Sequence, residues 1–98
     1  MAKMVLKFTF DADVIEVPDF IVKKRKFYQS KFDEWLFDEN NDHPFWLYKK
    51  GKKVCVSYRA EAFVMWLNTY ILADSEEKAD IYDSNTKIYL KSWPVLNF

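Results

Sequence analysis

The spacing of apolar residues changes along this chain from every second position to every third or fourth, and back, twice over. Met4, Leu6, Phe8 and Phe10 alternate with Val5, Lys7 and Thr9, the period-2 pattern of a half-buried strand. Asp11-Ala12-Asp13 makes a turn and Val14–Val17 a short second strand, which predicts a β-hairpin. Pro18-Asp19 marks a boundary, with Asp19 placed to accept hydrogen bonds from the free amides of a helix start. From Phe20 to Phe37, the residues Ile21, Arg25, Tyr28, Phe32, Trp35 and Leu36 follow helical spacing, while Lys23, Lys24 and Lys26 fall mostly away from that face.

The cycle then repeats. After a polar loop, Asp38–Pro44, the segments Phe45–Tyr48 and Val54–Tyr58 flank Lys49-Lys50-Gly51-Lys52-Lys53. Gly51, the one glycine of the chain, supplies the positive φ of a tight hairpin turn. With Lys50-Gly51 as the turn residues, Cys55 sits opposite Trp46. Ala60, Phe63, Val64, Leu67, Tyr70 and Ile71 then form an amphipathic stripe, with Ser57 placed to cap it. A polar connector, Asp74–Lys78, leads to a last hairpin: Asp80–Asp83, a turn at Asn85-Thr86, and Lys87–Trp93, ended by Pro94. Phe32-x-x-Trp35-Leu36 and Phe63-x-x-Trp66-Leu67 echo each other, as two helices with similar anchors on one sheet would.

The order ββα-ββα-ββ predicts an α+β fold, a mostly antiparallel sheet of about six strands with two helices packed on one face. Residues 1–98 read as a single domain, with no linker or low-complexity segment. Half of the residues are hydrophobic and 19% are aromatic, enough apolar surface to offset the entropy of ordering the chain.

Charge narrows the function. Basic and acidic residues number 15 each, and the balance holds in both halves, nine of each before residue 51 and six of each after it. Neither the basic excess of a duplex-binding protein nor the acidic excess of a DNA mimic is present, and near-zero net charge favours self-association, so a homodimer is admissible. The lone Cys55 cannot form an internal disulfide, which fits a reducing cytoplasm. The start of the chain does not read as a signal peptide, and no apolar run approaches the ~20 residues that span a bilayer, so no membrane partner is expected. Lysine outnumbers arginine 13 to 2, a bias that goes with AT-rich coding sequence and so with a low-GC bacterium or its phages.

Catalytic chemistry is thinly supplied. His43 and Cys55 are the only residues of their kinds, and the expected register keeps them apart. Asp38-x-Asn40-x-Asp42 copies the first half of a calcium loop, but His43 stands where glycine is needed and Lys49 where a bidentate glutamate should be. Zinc needs about four ligands, and the acidic pairs Asp33-Glu34, Asp38-Glu39 and Glu76-Glu77 read as solvated. No catalytic residue, metal site or cofactor is expected.

Binding is better provided for. If both helices cover one sheet face, Trp46, Tyr48, Tyr89 and Trp93 project from the other among lysines. Tryptophan and tyrosine are the commonest anchors of protein interfaces. The expectation is therefore a small non-catalytic binding protein, an accessory protein of a phage or mobile element that binds and blocks a host protein. The alternative is a single-stranded nucleic-acid-binding module that stacks bases on those rings. In it, Lys49, Lys50, Lys52 and Lys53 at the hairpin tip, and Lys23, Lys24, Arg25 and Lys26, contact phosphates. A third reading has the rings packing on one another, on Val95–Phe98 or on a second copy.

Overall fold

The computed structural model describes residues 1–98. The chain is α+β with six strands: β1 (Ala2–Lys7), β2 (Ala12–Val17), α1 (Asp19–Lys23), α2 (Arg25–Leu36), β3 (Trp46–Lys49), β4 (Lys52–Val56), α3 (Ala60–Trp66), β5 (Asp80–Thr86) and β6 (Val95–Asn97). The strands divide into a four-stranded sheet, ordered β5-β2-β1-β6, and a separate pair, β3-β4. The β1–β2 hairpin forms as its alternation predicts, with Met4 opposite Ile15 and Leu6 opposite Asp13.

Alternation along β1 and β2 decides what each sheet face buries. Met4, Leu6, Ile15 and Val17 point into the main core and pack among Ile21, Phe32, Leu36, Phe63, Trp66 and Leu67. Phe32 lies at its centre, fully buried, with its ring against those of Trp35, Tyr58, Phe63, Trp66 and Phe98. Much of the chain's aromatic content is therefore core. Burying each such side chain contributes roughly 1.5–3 kcal/mol. The opposite face carries Val5, Ala12 and Val14, and it is not open. Tyr89, Trp93 and Val95 pack on it.

That covering replaces the expected third hairpin. Residues 87–93 form no strand. Thr86 closes a local turn instead, its Oγ1 donating to the Ile88 carbonyl (2.8 Å) and accepting from the Ile88 amide (3.2 Å). The chain then crosses the sheet face and returns as β6, parallel to β1. The sheet is thus mixed. The α+β class and the six strands are as expected, but the strands divide between a mixed sheet and an antiparallel pair, and the larger sheet buries apolar residues on both sides.

Each helix is also interrupted. The predicted helix from Phe20 to Phe37 breaks at Lys24 (φ −118°, ψ 30°) into α1 and α2, in the middle of four consecutive cations. Asp19 is the first residue of α1 and caps nothing with its side chain. The second helix passes after Trp66 into a π-helical turn, Leu67–Ile71. Within it Asn68 reaches sideways, donating to the Ala79 carbonyl (3.0 Å) and accepting from the Ala79 amide (2.8 Å). Ser57 does not cap α3. The cap comes from Asp13, which accepts from the Ala60 amide at 3.2 Å. No helix is long and apolar enough to cross a membrane.

Candidate functional site

The β3–β4 ribbon is an arm attached by its base. Its turn forms at Lys50 (φ 53°) and Gly51 (φ 77°), two positive φ values in succession, as a type I′ turn requires. Lys49 lies opposite Lys52 and Tyr48 opposite Lys53, as the sequence predicts. A bulge then shifts the register, so Leu47 faces Cys55 and Trp46 faces Val56. The extra residue is Val54, on β4, so Cys55 and Val56 exchange faces relative to the expected register.

Burial along the arm is uneven. Leu47 and Val54 are 48% and 56% exposed. Trp46, expected on an open face, is only 9% exposed. No further strand pairs with β3 or β4, so both outer edges of the ribbon are free. Tyr48 is 56% exposed, and Cys55, opposite Leu47, is exposed as well. The arm thus presents Leu47, Tyr48 and Val54 to solvent, with Lys49, Lys50 and Lys52 at its tip forming no ion pair.

A polar-aromatic clasp holds the base. His43 stacks on Trp46, 5.3 Å between centroids and 8° between planes, and also touches Trp35. Its Nε2–H donates to the Leu36 carbonyl (2.8 Å) and its Nδ1 accepts from the Phe45 amide (3.2 Å). This tautomer satisfies both nitrogens at the exit of α2, and it leaves neither free for Cys55. Trp46 Nε1 donates to the Asn41 carbonyl at 2.6 Å. Lys53 folds back over the Trp46 ring, 5.3 Å from its centroid, and pairs with Asp42. Lys53, by its hydrogen bond and its charge, holds the Asp42 carboxyl below the usual carboxylate range. Lys53 is therefore engaged within the chain, unlike the other three lysines of the tip.

The four rings expected to share a face are split. Trp46 and Tyr48 belong to the arm, whereas Tyr89 and Trp93 are half-buried on the second face of the main sheet. Trp93 meets Tyr82 edge-on at 6.2 Å. The other basic cluster, Lys23, Lys24, Arg25 and Lys26, surrounds the break between α1 and α2 and lines a hollow there with Phe27. A second hollow of about 360 Å3 lies between the β1–β2 turn and Thr86–Tyr89, where Phe8, Phe10 and Tyr89 meet Lys7 and Lys87.

One cluster escaped the sequence reading. Arg59 Nη2 donates to Asp11 (2.7 Å) and to Asp13 (2.8 Å), and its guanidinium lies over the Phe8 ring. The sequence held one signal for it. Asp13 has the parity of Ile15 and Val17, so an acid falls on a core-facing position and needs a partner. No family model matches the chain, and no curated protein or solved structure matches it either.

Proposed function

We propose that this chain is a non-catalytic binding protein whose β3–β4 arm docks an acidic, extended segment of a protein partner. One observation carries the reading: apolar side chains, free strand edges and unpaired lysines coincide on a single projecting ribbon. The ribbon is short, bulged and tipped with lysines, devices that keep free edges from pairing indiscriminately. Here Leu47, Tyr48 and Val54 are exposed beside them, and exposed apolar patches mark interaction sites. Strand addition to such an edge gives affinity through backbone hydrogen bonds and specificity through alternate side chains. The lysine tip selects for acidic residues, since opposite charges across a strand pair stabilise and like charges do not.

Of the four rings first proposed as anchors, Tyr48 keeps that role. Trp46 becomes the strut that holds the arm, and Tyr89 and Trp93 close the second sheet face. The wider reading of an accessory protein of a phage or mobile element, acting in the cytoplasm to block a host factor, rests on composition and on the lone Cys55.

The test is capture of partners from nuclease-treated lysate of the source cells by three forms of the chain. The Leu47→Asp/Val54→Asp form is expected to lose a protein that the unaltered chain retains. The Phe10→Asp form, altered at a distant exposed ring, is expected to keep it. Equal capture by all three forms contradicts the proposal. So does capture of nothing but a second copy of this chain.

A further inference from the structure

The elbow between α1 and α2 gathers four consecutive cations around one hollow. Lys23 ends α1, Lys24 breaks the helix, and Arg25 and Lys26 open α2. With Phe27 they line a concavity of about 310 Å3. None of the four is ion-paired. The first turn of α2 contains no acidic residue, so the positive end of that helix adds to the excess instead of being offset. Arg25 donates from Nη1 to the Val22 carbonyl at 3.0 Å, while its Nε is buried with no acceptor. In a chain of zero net charge, this is a local cationic excess that no carboxylate of the chain answers.

Phe27 distinguishes this patch from a simple anion site. Its ring is 55% exposed on the rim. Lys31, paired with Glu34, places its Nζ 5.9 Å from the ring centroid. Cations that follow a backbone, next to an exposed aromatic face, are the two components of single-strand recognition. A duplex keeps its base faces stacked inside and has none to offer. The hollow also lies at the small end of ligand sites, about 300–1,000 Å3, a scale suited to one nucleotide unit.

We infer that the α1–α2 elbow binds single-stranded nucleic acid, with Lys23, Lys24 and Lys26 on successive phosphates and a base stacked on Phe27. This site is separate from the β3–β4 arm and stands whether or not the arm docks a protein.

The test is fluorescence anisotropy with a labelled oligothymidylate of about 12 nucleotides, within the span usual for one small domain. Binding is expected at low salt, with log K falling against log salt at a slope of about −2 for three phosphates. Lys24→Ser and Lys26→Ser are each expected to weaken binding several-fold and to flatten the slope by about 0.7. Phe27→Leu is expected to weaken it about tenfold with the slope unchanged. All three side chains are exposed, so melting temperatures should hold. Four results overturn the inference: no binding at low salt, equal binding of a duplex of the same length, binding unchanged in the lysine variants, or binding indifferent to Phe27→Leu and displaced by equal inorganic triphosphate. Binding to phosphatidylserine vesicles in place of the oligonucleotide overturns it as well.

Discussion

Arg59 holds Asp13 at 2.8 Å across 46 residues of sequence, and this contact joins three elements. Asp13 sits on β2, 3% exposed at its side chain. It accepts from Arg59, from the Ala60 amide at the start of α3 and from the Asn85 amide on β5 (2.9 Å). One carboxylate thereby fixes a helix end and a neighbouring strand to the central hairpin. Replacing Asp13 by Ala leaves two amides without acceptors and removes one of the two carboxylates on Arg59. The expected loss is about 3 kcal/mol in urea unfolding, because unsatisfied buried groups carry most of the cost.

The same residue sets a pH dependence. Burial works to raise the Asp13 pKa, but the hydrogen bond from Arg59 and those from the Asn85 and Ala60 amides outweigh it, and the net shift is downward. A carboxyl with a depressed folded-state pKa stabilises the fold above its unfolded pKa of about 3.9, and that contribution disappears as pH falls through the folded value. The gap in stability between the unaltered chain and Asp13→Asn should therefore be constant above about pH 5 and narrow steadily below about pH 3.9. Urea midpoints measured at a series of pH values check this. A gap that widens with acidity contradicts it.

The clasp at the base of the arm is also measurable. Trp46→Ala removes the ring between His43 and Lys53 and the hydrogen bond to Asn41. It should cost about 3–5 kcal/mol, as for other large buried aromatics. Tyr48→Ala, two residues along and exposed, should stay within about 0.5 kcal/mol. Comparable losses at the two positions would mean that the arm is seated differently.

The turn gives the fourth expectation. At Gly51 a Cβ would meet nothing within 4 Å, so the cost of Gly51→Ala is purely that of the positive φ, about 1 kcal/mol. Lys50 has a positive φ without being glycine. Lys50→Asn should therefore raise the melting temperature slightly, because asparagine accepts this conformation more readily.

Local chemistry was legible in the sequence, and longer-range pairing was not. The β1–β2 alternation, the Lys50-Gly51 turn and the helical nature of both stripes read correctly because each depends on neighbours a few residues apart, whereas the break at Lys24 and the π-helical turn after Trp66 did not show in the spacing. The bulge at Val54 that re-pairs Cys55 with Leu47 and Val56 with Trp46 is a single-residue event, and β-branched or aromatic residues suit either register. The segment 87–93 alternates like a strand, yet Tyr89 and Trp93 pack across a sheet face, and of the residues after Thr86 only Val95–Asn97 join the sheet. Composition cannot distinguish an aromatic that docks a partner from one that fills a core. Trp46 is buried and Trp93 half-buried against the sheet, whereas Tyr48 stands in solvent.

Docking by the arm is tested most directly by placing a photo-crosslinking phenylalanine analogue at position 47 and irradiating it in source cells. The account predicts adducts with one protein, mapped by mass spectrometry to an acidic stretch, and their loss when Lys49, Lys50 and Lys52 are changed to Glu. Adducts of equal yield from the same analogue at position 10, or adducts indifferent to the lysine changes, would contradict it.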